Sequence, residues 1–216
     1  MKKKYLSVFI TGLLLTGVVG IANANLIING SFENPNLHNK SWSVFKTIEG
    51  WSTVKKGAGI EVQNNVAGTS FDGVQHVELD SLYNSSMEQL VINTFDKELY
   101  TLSFYYSPRP GVADTSNGIN VFWDNTLLGS TITGSTLGNT AWTQYTYSIY
   151  GTGTSTSLMF SAGGTSDSFG GYLDAVSLTA APVPEPATML LFGAGLAGLV
   201  GTRLRRKKID KHKLIN

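Results

Sequence analysis

Tyr100-Thr101-Leu102-Ser103-Phe104-Tyr105-Tyr106-Ser107 is the stretch that sets the fold class. Tyr100, Leu102, Phe104 and Tyr106 fall on one side of an extended chain. Thr101, Ser103, Tyr105 and Ser107 fall on the other, the period of two that marks a half-buried strand. Working outward, similar short runs recur, and strands are expected at 26–28, 59–63, 74–79, 100–106, 119–123, 142–150, 157–161 and 172–178. Between them lie Asn34-Pro35-Asn36, Asn64-Asn65, Pro108-Arg109-Pro110-Gly111, Ser116-Asn117-Gly118, Asp124-Asn125 and Gly163-Gly164, whose residues supply the backbone angles of reversals. Residues 151–157, small throughout, read as a hairpin or loop. No long helical periodicity and no solenoid repeat runs through 25–180. The pattern is all-β, a single antiparallel sandwich.

Charge is segregated along the chain. Residues 1–24 carry three lysines and 203–213 carry seven Lys/Arg, whereas 25–182 carry six Lys/Arg against thirteen Asp/Glu. The acidic middle has no basic patch for nucleic acid, so no DNA or RNA partner is expected. The chain has no cysteine, which excludes disulfides, thiol catalysis and thiolate metal sites. About 155 residues suffice for one domain with a sizeable core.

Both ends read as addressing. Met1-Lys2-Lys3-Lys4, an apolar run to Ile21 and Ala22-Asn23-Ala24 form a signal peptide over 1–24. Ala180-Ala181-Pro182-Val183-Pro184 is an extended linker. An apolar, glycine-rich segment follows from Ala187 to about Thr202, then Arg203, Arg205, Arg206, Lys207 and Lys208. As a helix its sixteen or so residues rise only ~24 Å, short beside the ~20 residues usual for a bilayer. Such a helix is expected to be transmembrane, with the basic cluster as a membrane stop on the cytoplasmic side and the acidic domain outside.

Val183-Pro184-Glu185-Pro186, the apolar segment and the basic cluster, in that order behind a signal peptide, resemble the PEP-CTERM sorting cassette over 181–208. The resemblance implies processing by an exosortase-type membrane protease in a Gram-negative bacterium that makes exopolysaccharide. It implies a protein anchored in the membrane at least transiently, then held at the cell surface or in the extracellular matrix. The polar tail 209–216 is extra, since such proteins commonly stop after the basic cluster.

In the middle, Asn29-Gly30-Ser31-Phe32-Glu33 near the start and Gly171-Tyr172-Leu173-Asp174-Ala175-Val176-Ser177-Leu178 near the end resemble the ends of jelly-roll, galactose-binding-like domains. Many carbohydrate-binding modules belong to that group. The resemblance extends the sandwich over 25–180 and implies a structural calcium ion held by Glu33 and Asp174. By parity Asp174 is expected on the same, mainly apolar, face as Tyr172, Val176 and Leu178. A capping or rim carboxylate is the alternative.

No catalytic residue is assigned. His76, Glu78 and Asp80 share a strand parity and suit metal binding or acid–base chemistry. The expected reading is the wet face of an antiparallel strand. No Gly-x-Ser-x-Gly elbow, His-Glu-x-x-His or phosphate loop occurs. Four tryptophans and nine tyrosines suit stacking on sugars. Trp51 and Trp142 are expected in the core, and Tyr105 and Tyr147 on an exposed ligand-binding platform. The expected function is non-catalytic binding of carbohydrate or exopolysaccharide. The alternatives are an adhesin-like component that binds another surface protein, and a glycan hydrolase acting through Glu78 and Asp80.

Overall fold

Residues 24–54, 59–182 and Gly195 are described by the structure, a computed structural model. The signal peptide to residue 23 and, Gly195 apart, the sorting cassette from Val183 lie outside the described residues. Among those described, strands pair antiparallel into two six-stranded sheets. Sheet A runs in the order β1 (Ser41–Phe45), β4 (Ile60–Asn64), β5 (Gln75–Glu78), β12 (Tyr172–Ala180), β7 (Leu99–Ser107) and β10 (Thr143–Tyr150). Sheet B runs β2 (Thr47–Ile48), β3 (Trp51–Thr53), β6 (Ser86–Ile92), β11 (Ser155–Gly163), β8 (Gly118–Trp123) and β9 (Thr126–Leu127). From β5 onward the chain passes back and forth between the sheets, which makes the sandwich a jelly roll.

The alternation in β7 has the consequence expected of it. Tyr100, Leu102, Phe104 and Tyr106 are buried between the sheets. Phe104 meets Phe160 of β11 edge-on, with ring centroids 5.1 Å apart, and Trp51 and Phe32 extend the ring cluster. Each such side chain taken from water contributes on the order of 1.5–3 kcal/mol. Trp51 lies in this core. Trp142 does not: it precedes β10, half-buried, outside sheet A, and its indole N–H donates to the Thr69 carbonyl at 2.9 Å.

Three local expectations are corrected. Residues 26–28 form no strand; Leu26 N–H donates to the Leu178 carbonyl, and Ile28 is gripped by a side chain. That side chain is Gln89, which accepts from Ile28 N–H at 2.8 Å and donates to the Ile28 carbonyl at 2.9 Å. Gln89 imitates a backbone partner from the core side of β6, which is why β6 shows no clean apolar alternation. Residues 151–154 cross from one sheet to the other, and Ser155–Ser157 already belong to β11.

The third correction sits in β12. Asp174 pairs with Tyr105, but Ser177 pairs with Ser103, so one extra residue bulges out on β12. Ala175 absorbs the bulge at φ 48°. Parity therefore switches within the strand. Leu173, Val176 and Leu178 enter the core, while Tyr172 and Asp174 point to the outer face of sheet A. Asp174 is not on the apolar side with Val176 and Leu178.

Candidate functional site: the covered outer face of sheet A

Strand register brings a polar and aromatic set together on the outer face of sheet A. Trp42, Gln63 and His76 lie in one row across β1, β4 and β5. Glu61, Glu78, Tyr172 and Ser107 lie in the next, across β4, β5, β12 and β7. A wet face was expected for β5, yet Gln63, His76, Glu78, Tyr172 and Asp174 are all fully buried. The cover is shared. The β4–β5 connection, residues 65–74, folds back as a strap onto Asp174, Tyr172 and Tyr105. Arg109 and Gly170 meet Glu78, and the Trp142 ring meets His76.

Buried charge there is organised around Glu78. Its Oε2 accepts from Arg109 Nη1 at 2.5 Å and from Gln63 Nε2 at 2.7 Å, and its Oε1 accepts from Gly170 N–H at 2.7 Å. Gln63 Nε2 also donates to Glu61 at 2.8 Å, tying the two acids together. Burial pushes Glu78 up to about 8, with Arg109 the strongest influence in the opposite direction. Burial raises Glu61 as well, against its bond from Gln63. Arg109 went unassigned from sequence. Its signal was that it is the only arginine in 25–182, set between two prolines in an acidic domain.

His76 is the unusual member. Its ring lies 4.3 Å from that of Tyr172 and 5.8 Å from that of Trp142, and neither ring nitrogen has a hydrogen-bond partner. Burial, then the Arg109 charge, hold it well below its ordinary value, at about 3, so it is neutral. Asp80, also buried, accepts from Asp167 N–H at 2.9 Å and anchors the 166–168 loop. Glu78 and Asp80 thus each secure a loop rather than flank an open cleft.

Glu33 and Asp174 hold the strap. Glu33 Oε1 accepts from Val74 and Gln75 N–H, each at 2.8 Å. Asp174 Oδ2 accepts from Phe71 and Asp72 N–H at 2.8 and 2.9 Å, and its Oδ1 from Ala175 N–H at 2.6 Å. Burial pushes Asp174 up to about 7 despite these donors. The two carboxylates grip successive residues of one turn, and backbone N–H groups supply the positive ends that a cation would. Each carboxylate thus has backbone donors of its own, and no cluster of three or more His, Cys, Asp or Glu side chains suited to a metal ion occurs among the described residues.

Tyr105 and Tyr147 do not share an exposed platform. Tyr105 is on the outer face with Phe71 of the strap stacked on it, centroids 3.4 Å apart. Tyr147 lies opposite Leu102, half-buried on the core-facing side of the edge strand β10. The open surface beside the buried network is instead a groove of about 470 Å³, whose walls include Ala67, Arg109, Ser116, Asp167 and Phe169. Phe169 is 45% exposed, with the Arg109 guanidinium 4.6 Å from its ring centroid. Ser116 Oγ donates to Asp167 Oδ2 at 2.8 Å across the groove wall.

Residues 182–207 match the PEP-CTERM protein-sorting motif, so the chain carries a signal for export and membrane-associated sorting. Over 154 residues it is 28% identical to a multifunctional-autoprocessing repeats-in-toxin protein of Vibrio vulnificus. The match covers 70% of this chain and 3% of that relative's length. A cyclase from Fischerella sp. TAU, solved with 4-(1H-indol-3-yl)butan-2-one, shares the fold at TM-score 0.55 and 18% identity, over 73% of this chain and 97% of the cyclase. The carbohydrate-binding module TmCBM61, solved with β-1,4-galactotriose, is similar at TM-score 0.47 and 20% identity, over 74% of this chain and all of the module (100%). The likeness to the cyclase, at 18% identity, shows the jelly-roll fold alone, so any function has to be read from the site.

Proposed function

We propose that the chain is a non-catalytic carbohydrate-binding protein, cut from its anchor by an exosortase-type protease and retained at the cell surface or in an exopolysaccharide matrix. The observation that carries the reading is the groove in which a half-exposed aromatic face, Phe169, stands beside Arg109 and Asp167. A pyranose presents C–H faces that stack on such a ring and hydroxyls that accept from a guanidinium or donate to a carboxylate. Arg109 is held by Glu78 through Nη1, and its backbone N–H donates to Asn117 Oδ1 at 2.9 Å, so the donor is positioned before a ligand arrives. The hydrolase alternative has less support, since Glu78 is bound to Arg109 and Asp80 to a backbone N–H. Probing a glycan array with wild type and Phe169→Ala tests the proposal. Wild type should bind a polysaccharide class that the variant loses while its Tm is unchanged; equal binding by both would remove the groove from the account.

A further inference from the structure

Under the strap, His76 is fully buried with both ring nitrogens unpartnered. It sits among groups of the kind that surround a bound sugar. Gln63 and Trp42 share its row, Trp42 being 56% exposed at the rim. Tyr172 and Trp142 present their rings to it. A neutral imidazole offers one donor and one acceptor, and a hydroxyl group satisfies either.

The strap itself is held without a strand ladder. Beyond the Glu33 bond at its Val74 end, its ties include the two N–H bonds to Asp174, the Trp142 indole on the Thr69 carbonyl, and Thr140 Oγ1, which donates to the Thr69 carbonyl at 2.8 Å. Tyr172 O–H reaches the Ala67 carbonyl at 3.4 Å. The largest apolar tie is the Phe71 ring, stacked on Tyr105 at an interplanar angle of 14°, the parallel arrangement that the C–H face of a pyranose chair also takes on an aromatic ring. Sugar hydroxyls and C–H faces can stand in for each of these contacts, and a hydroxyl that enters beside Tyr172 and Trp142 would give His76 the partner it lacks. Ala67 belongs to both the strap and the wall of the Arg109–Phe169 groove, so lifting the strap joins groove and covered face. Burial raises the carboxyl groups of Glu61, Glu78 and Asp174 on that face, and in their neutral form they donate to the hydroxyls of a neutral saccharide.

We propose that the sugar site continues from the groove beneath the 65–74 strap, where a neutral oligosaccharide bonds the two His76 nitrogens and takes the place of Phe71 on Tyr105. This inference rests on the carbohydrate reading above. It is tested by fastening the strap in a chain that has no cysteine of its own. Thr69 Oγ1 and Thr140 Oγ1 lie 3.3 Å apart, so Thr69→Cys with Thr140→Cys places two thiols for a reversible disulfide.

The full chain, in a detergent without a sugar headgroup, is applied to an array of hexasaccharides of glucose, galactose, mannose and xylose. Thiol titration confirms the oxidised and reduced forms. The reduced form should bind at least one hexasaccharide, and the oxidised form should lose about tenfold or more in affinity. His76→Phe, which keeps a ring in the same space, should bind more weakly with the strap free. Binding that survives oxidation and survives His76→Phe confines the sugar to the groove and overturns the inference alone. Failure of wild type to bind any member overturns the carbohydrate reading, and this inference with it.

Discussion

With Arg109 replaced by methionine, Glu78 keeps its bonds from Gln63 and Gly170 but loses its counter-charge. Glu78 is raised to about 8 when folded from an ordinary 4.5, so both proteins hold it protonated near pH 6. There the deficit of Arg109→Met is about 1 kcal/mol, the worth of a hydrogen bond. As pH rises through about 8 the wild-type carboxylate ionises against Arg109 and the variant's cannot, so the deficit grows to about 3 kcal/mol. Urea unfolding at pH 6 and pH 9 checks this, and a pH-independent deficit would contradict it. His76 has the opposite sign. Its folded value of about 3 lies below the ordinary 6.5, so its contribution is intact above pH 6.5 and is lost as pH falls towards 3. His76→Phe should be about 1 kcal/mol more stable than wild type at pH 7, because it removes two unsatisfied polar atoms. Its thermal-melting advantage should widen steadily on acidification. Glu33 and Asp174 already hold backbone N–H groups, so a chelator should leave the Tm of wild type in place; a drop would put an ion there.

Among the elements, β12 depends most on a single residue. Ala175 occupies the left-handed region at φ 48°, where a Cβ is unfavourable by roughly 1–2 kcal/mol. Ala175→Gly should therefore stabilise the domain by about 0.5–1 kcal/mol in urea unfolding, once glycine's extra unfolded-state entropy is offset. Deleting Ala175 should abolish cooperative folding by turning Tyr172 and Asp174 into the core. The same bulge marks the limit of what sequence reveals. β7 was readable because its inward face is uniformly apolar and its register unbroken. Parity carried across β12 put Asp174 on the wrong side, since nothing in Asp174-Ala175-Val176 announces an inserted residue. β6 and residues 26–28 were obscured for a related reason, the long-range grip of Gln89 on Ile28. The strap was beyond reach altogether. His76, Glu78 and Asp80 read as a solvated face because the groups that meet them, Trp142 at His76, Arg109 and Gly170 at Glu78, and Asp167 at Asp80, lie far along the chain.

At the scale of the whole molecule, the chain joins an acidic jelly roll to a PEP-CTERM protein-sorting motif at residues 182–207. On the proposed exosortase processing, replacing Pro184, Glu185 and Pro186 with alanine should leave the uncut chain in the membrane fraction, read as an unchanged mass. The proposed binding task rests on the groove with its arginine and half-exposed phenylalanine, and on the outer face of sheet A, which buries an unpartnered histidine. Binding of the full chain to a polysaccharide and oligosaccharide array, run beside Phe169→Ala, addresses that task most directly. The account predicts binding to a defined saccharide class that Phe169→Ala loses without a change in Tm, whereas no binding to any saccharide, or binding that Phe169→Ala retains in full, would contradict it.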